Sequence, residues 1–73
     1  MKTYLVLFFN SEGADPTDVM HKANSLGFET VVGAHDLVYE WEDEPSDKVI
    51  LELGNKVKNV LNGTKVMFKL ETV

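Results

Sequence analysis

The chain contains no cysteine. Disulfide bonds, iron–sulfur clusters, thiolate zinc sites and catalysis by a thiol are therefore excluded, and the redox compartment is left open. Proline is almost as scarce, with two residues among 73. Long apolar runs are missing as well, since no segment approaches the roughly 18 consecutive apolar residues of a membrane span. A membrane is therefore not an expected partner.

Positive charge is in short supply. Seven basic side chains stand against 12 acidic ones, which gives a formal net charge of −5. Such a balance repels a phosphate backbone at long range, so nucleic acid is not an expected partner either. The apolar stretch after Lys2 is shorter than the core of a secretory signal and runs into an acidic loop. We interpret it as a strand and expect a cytoplasmic protein.

Apolar residues, by contrast, are plentiful. They make up 44% of the 73 residues, which is enough for a packed core. Residues 1–73 are expected to form a single domain. A domain of this size buries only about 60% of the surface that its unfolded chain exposes, so its stability margin is thin. A partner, or a second copy of the chain, would add to it.

The two prolines lie in segments of one pattern, "DPTD" at Asp15–Asp18 and "EPSD" at Glu44–Asp47. Each pattern predicts a helix start. Proline at the first helical position lacks only an N–H that has no partner inside the helix, and acidic groups favour the positive end of the helix dipole. The shared pattern also suggests a chain built from two similar βαβ halves.

Apolar residues follow both starts at helical spacing. The first helix is predicted from about Pro16 to Leu26, where Gly27 allows a left-handed stop. The second continues from "EPSD" to Asn62-Gly63. Its apolar positions are Val49, Ile50, Leu53, Val57, Val60 and Leu61.

Four strand-like runs surround the helices. They are Thr3–Phe9, Phe28–Val32, Leu37–Glu42 and Lys65–Thr72. The first run is apolar in both alternating sets of side chains, as in a strand at the centre of a sheet. With right-handed connections, the βαββαβ order predicts an α+β, ferredoxin-like sandwich. In that fold two helices cover one face of a four-stranded antiparallel sheet whose first and third strands are central.

The uncovered face of that sheet is the first candidate for function. Leu37, Tyr39 and Trp41 should lie under the helices, so their neighbours in the strand lie on the other face. One alternate set of the first strand joins that face, either Tyr4, Val6 and Phe8 or Leu5, Leu7 and Phe9. The other expected members are Val38, Glu40, Glu42, Met67, Lys69, Glu71, Glu29 and Val31. An apolar centre framed by charges is typical of a surface that associates, here as a homodimer or with another protein. In a monomer, long charged side chains would cover it instead.

The turn between the second and third strands is the second candidate. Gly33, His35 and Asp36 are the residues we would assign to ligand binding. A His beside a carboxylate can serve as an acid–base pair or as part of a metal site. However, adjacent residues in a tight turn usually point apart, and His21 shows no ligand spacing to His35. Asp36 is also typical of a turn residue that accepts bonds from nearby backbone amides, and we prefer this interpretation of Asp36 to ligand binding.

The segment from Val31 to Thr72 resembles the second half of the small-molecule-binding RAM domain of leucine-responsive and asparagine-type transcription regulators, and stand-alone relatives in the dimeric α/β-barrel group. Gly33 and Asp36 match a Gly-x-x-Asp turn, and Asn62-Gly63 with Val66 matches a later turn loosely. The resemblance implies two sheets that face each other across a dimer, with the turn forming part of a pocket for an amino acid or similar small molecule. The regulators' helix-turn-helix domain has no counterpart within these residues. Glu40 and Glu42 would have to skirt such an interface, because buried unpaired charges are costly.

Small ferredoxin-fold ribonucleases and CRISPR-adaptation proteins resemble the chain in length and element order. Their metal-binding Asp lies at the end of the first strand, where this chain has Asn10, a poor ligand for Mg²⁺. We therefore expect a non-enzymatic binding domain with no cofactor, no metal and no catalytic residue. It should self-associate through the open sheet face and bind a small metabolite near Gly33–Asp36. The alternative is a small metal-dependent or acid–base enzyme that uses His35 and Asp36.

Overall fold

The structure is a computed structural model that describes residues 1–31 and 36–73. The described elements follow the order βαββαβ. They are β1 (Lys2–Phe8), α1 (Pro16–Ser25), β2 (Glu29–Thr30), β3 (Leu37–Glu40), α2 (Asp47–Val60) and β4 (Met67–Thr72). In the described part of the chain, no helix is long and apolar enough to cross a membrane.

The strands form a single antiparallel sheet in the order β2-β3-β1-β4. The predicted α+β class and the central position of the first and third strands are therefore confirmed. β1 pairs with β3 from Lys2 opposite Glu40 to Leu5 opposite Leu37. On its other side it pairs with β4 along the whole length from Thr3 to Phe8.

One apolar cluster holds the sheet and helices together. Leu5 and Leu7 contribute from β1, and both helices contribute to the same cluster, so they cover the same side of the sheet. Its buried members are Leu5, Leu7, Val19, Ala23, Phe28, Leu37, Leu53, Val57 and Leu61. Tyr39 and Trp41 pack against it while partly buried, as the alternation in the sequence predicts, and so do Val66, Phe68 and Leu70.

Helix α1 begins and ends as its sequence predicts. Pro16 is the first helical residue and follows Asp15 in extended conformation. At the other end Gly27 has φ +104°, its N–H donates to the carbonyl of Asn24, and the N–H of Phe28 donates to the carbonyl of Ala23. These two bonds are the Schellman arrangement that satisfies the last carbonyls of a helix.

Helix α2 begins differently from its prediction. Pro45 does not occupy the first helical position, because Ser46 lies between it and the helix as the N-cap. The Ser46 hydroxyl accepts the backbone N–H of Val49 at 3.3 Å, which satisfies one of the amides left open at a helix start. The shared "acid-Pro-hydroxyl-Asp" pattern therefore opens both helices, but α1 begins at the second residue of its pattern, Pro16, and α2 at the fourth, Asp47.

The loop after β1 packs against the turn that follows α2. The N–H of Ala14 donates to the carbonyl of Thr64 at 3.1 Å. A Cβ at Gly13 would lie 2.6 Å from that same carbonyl oxygen, so only glycine permits this approach. Lys65 completes the turn with φ +61°, a conformation that costs a non-glycine residue roughly 1 kcal/mol. The contact places the loop beside the ends of β1 and β4.

Candidate functional site: the open face of the sheet

Strand alternation in β1 separates two sets of side chains. Thr3, Leu5 and Leu7 are buried, whereas Tyr4 and Val6 are half-buried and Phe8 is exposed. The second set therefore lies on the side away from the helices, which we call the open face. With their neighbours in register, its members are Lys2, Tyr4, Val6, Phe8, Glu29, Val38, Glu40, Met67, Lys69 and Glu71.

The register arranges the open face in rows across the sheet. In one row Tyr4 and Val38 lie side by side between Glu29 on β2 and Glu71 on β4. Val38 is 5% exposed although it is outside the helix-side cluster. The open face therefore has a buried apolar residue within this row. The acidic residues occupy the ends of the row, where water reaches them.

The two ends of the open face differ in polarity. At one end Lys2 lies opposite Glu40, with 3.5 Å between Nζ and Oε1 in a solvent-exposed ion pair. At the other end Phe8 lies opposite Met67, and these side chains are 54% and 73% exposed. Two large apolar side chains therefore stand together in water. We call Val6, Phe8 and Met67 the apolar end.

Asp36 lies at this apolar end. Its carboxylate oxygen Oδ2 accepts the backbone N–H of Leu7 at 2.7 Å, and its own N–H donates to the carbonyl of Leu5 at 3.1 Å. The side chain thus continues the β1–β3 ladder past its last paired residues. The amide that it binds belongs to a neighbouring strand rather than to its own turn. Gly33 and His35, the other residues predicted to bind a ligand, lie outside the described residues.

The residues considered for metal chemistry have separate, local surroundings. Asn10, at the end of β1, accepts the N–H of Glu12 through Oδ1 at 2.9 Å and so supports a local turn. His21 is an exposed residue of α1. Within residues 1–31 and 36–73, no three His, Asp or Glu side chains are grouped so that they could hold a metal ion.

An open groove of about 700 Å³ follows β3, and the sequence patterns did not predict it. Tyr39 and Trp41 contribute a tilted aromatic pair with centroids 4.7 Å apart. Trp41 is anchored because its Nε1 donates to the hydroxyl of Thr3, which in turn shares a hydrogen bond with that of Thr72, both at 2.8 Å. The acidic residues lining the groove are Glu40, Glu42, Asp43 and Glu44. The sequence signal for it was the "EDE" run, which is equally typical of a solvated loop.

Comparison of the chain with protein-family models, with curated proteins and with solved structures gives no match. Function must therefore be inferred from the site itself.

Proposed function

We propose that the chain is a non-enzymatic, ferredoxin-like interaction domain that associates with a second copy of itself through the open face. The strand order β2-β3-β1-β4, with both helices contributing to one cluster, supports the ferredoxin-like arrangement. In that arrangement the helices shelter one side of the sheet only. The other side is then available to a partner.

The observation that carries this proposal is the exposure of Phe8 and Met67, 54% and 73%, as direct cross-strand neighbours. They continue an apolar surface that includes half-buried Val6 and buried Val38. Removing such a surface from water is favourable by roughly 25 cal/mol for each Å². Contiguous apolar patches rimmed by polar groups are typical of association sites.

A second copy is the occupant that the charges favour. The open face carries basic Lys2 and Lys69 together with acidic residues, so it offers both signs. A two-fold interface brings one patch against itself, and this requires a surface that complements itself. A partner of one strong charge would meet like charges somewhere on this face. Because the acids stand at the ends of the rows, they would remain at a hydrated rim.

The proposal is tested by Phe8→Glu, with Leu51→Glu as its matched control. Leu51 is also an exposed apolar residue, at 68%, but it lies on α2, away from the open face. Sedimentation velocity is measured for the parent and both variants from about 5 μM to about 1 mM, a range that covers typical weak association. Circular dichroism checks that all three are folded.

The parent should show a mass that rises with concentration, and Leu51→Glu should follow it. Phe8→Glu should weaken the association at least tenfold, because a charge would be buried at the apolar end. A parent that stays monomeric throughout, or a Phe8→Glu protein that associates as the parent does, would exclude the open face as an interface.

Ligand binding by Gly33, His35 and Asp36 stays a prediction, favoured by the position of Asp36 beside the apolar end. A screen of small metabolites by backbone amide chemical shifts tests it. A ligand at the turn should move the amides of Leu7 and Asp36, the two N–H groups that donate in the Asp36 contacts. A screen that moves none of them leaves Asp36 with its structural contact alone. The enzymatic alternative also stays a prediction, and RNA cleavage that persists in Asp36→Asn would remove that residue from it.

A further inference from the structure

Strand β4 forms one edge of the sheet and is paired only with β1 in the described part of the chain. It is six residues long, whereas β2 at the opposite edge has two residues. An edge strand presents a row of backbone N–H and C=O groups that can pair with another strand. Natural proteins keep such edges short or interrupt them, and β4 contains no proline.

The register identifies which backbone groups point outward. Lys2 and Val73 bond to each other in both directions at 2.9 Å, so they form a hydrogen-bonded pair of the β1–β4 ladder. Such pairs alternate along an antiparallel ladder. The residues bonded to β1 are therefore Met67, Lys69, Glu71 and Val73. The groups directed away from β1 belong to Phe68, Leu70 and Thr72.

We infer that β4 pairs antiparallel with β4 of a second copy, about a two-fold axis beside Leu70. In this register Leu70 faces the partner's Leu70 and Phe68 faces the partner's Thr72. All of these residues have outward-directed backbone groups, so each facing pair can exchange two hydrogen bonds. The two sheets become one continuous sheet, and the open faces of both copies lie on the same side of it.

The side chains between these pairs complement one another. Lys69 stands opposite the partner's Glu71, so opposite charges meet on both sides of the axis. Met67 stands opposite the partner's Val73. In the single chain these two apolar residues are 73% and 66% exposed. An axis beside Phe68 would instead set Met67 against the partner's Lys69. An axis beside Thr72 would set Glu71 against the partner's Val73. Of these three registers, the one centred on Leu70 places opposite charges across from each other and apolar side chains across from each other.

This inference is independent of the proposed face-to-face contact. Edge pairing uses backbone groups in the plane of the sheet, whereas the open face uses side chains above it. Each can therefore fail without the other, and separate variants distinguish them.

Cysteine cross-linking tests the register directly, because the chain has no cysteine of its own. The double variant Met67→Cys/Val73→Cys places two thiol pairs opposite each other, at a separation of roughly 4.5 Å between Cα atoms. Within one copy these positions are roughly 20 Å apart along the strand, too far for an internal disulfide. Oxidised glutathione is the oxidant, and Met67→Cys and Val73→Cys alone are the controls.

The double variant should form a disulfide-linked dimer, while the single variants should give several-fold less of it. The dimer should also form when Phe8→Glu is added, since that change affects the open face only. Equal cross-linking in the single and double variants, or none in any of them, would overturn the inferred register.

A charge exchange gives a second readout that introduces no cysteine. Lys69→Glu and Glu71→Lys each place like charges opposite each other in the inferred dimer, whereas the double exchange restores opposite charges. In a Phe8→Glu background, sedimentation should show association weakened several-fold in each single variant and recovered in the double one. Absence of recovery would contradict the pairing of Lys69 with the partner's Glu71.

Discussion

The carboxylate of Asp36 accepts the N–H of Leu7 at a place where β3 no longer supplies a paired residue. The role of Asp36 as a turn residue was predictable from its position after Gly33, but its hydrogen-bond partner, Leu7, was not. The contact joins residues that are 29 positions apart, and local patterns carry no information about such pairs. A residue that matches a ligand-binding motif therefore also has a direct role in the sheet.

Replacing Asp36 should therefore change the free energy of unfolding, whether or not the residue also binds a ligand. Asp36→Ala should lower the free energy of unfolding by about 1–3 kcal/mol, because a partly buried amide loses a charged acceptor. Asp36→Asn keeps a carbonyl oxygen in place and should lose about 1 kcal/mol or less. Urea unfolding measures both. Equal stability of Asp36→Ala and the parent would show that the contact contributes nothing, and the residue would then be free for a purely functional role.

Whole elements were easier to predict than individual contacts. The start and stop of α1 and the alternation in β1 depend on neighbouring residues, and the structure agrees with these predictions. The start of α2 was predicted at Pro45, but the helix begins at Asp47. Strand ends were less accurate. β2 was predicted from Phe28 to Val32, whereas the structure gives Glu29–Thr30, the residues that pair with β3, and Val32 lies outside the described residues.

Two glycines at contrasting positions test the account of the helices. Gly27 ends α1 with φ +104°, and an added Cβ would stand 3.0 Å from the ring of Tyr39. Gly54 lies within α2, where an added Cβ would meet Leu70 at 3.6 Å, an ordinary contact. Gly27→Ala should therefore cost about 1–2 kcal/mol, whereas Gly54→Ala should add about 0.5–1 kcal/mol.

Urea unfolding of both variants measures these effects, provided that the slope of the unfolding free energy against urea concentration is the same as in the parent. Because one substitution serves at both sites, general effects of alanine cancel in the comparison. Destabilisation by Gly54→Ala would mean that α2 and β4 approach too closely for a methyl group. An unaffected Gly27→Ala protein would mean that the left-handed stop of α1 is not required.

At the scale of the molecule, the sheet has apolar side chains on both sides but helices on one. The sequence already indicated this imbalance, because both alternating sets of β1 are apolar. The burial of alternate β1 residues shows which set of side chains remains uncovered. The strand register places two exposed members of the open face, Phe8 and Met67, side by side. For a domain whose own core is small, the proposed interface on that side would contribute to the stability of the fold as well as to assembly.

The proposed association would make thermal stability dependent on protein concentration. If association stabilises the folded state, raising the concentration to about 100 times the dissociation constant should add about 2–3 kcal/mol and raise the Tm by at least about 5 °C. Leu51→Glu should retain this dependence, and Phe8→Glu should reduce it because the open face no longer associates. Differential scanning calorimetry at about 20 μM and 2 mM measures the shift. A Tm that is the same at both concentrations in the parent would mean that the fold stands alone, with Phe8 and Met67 remaining in water at no benefit to its stability.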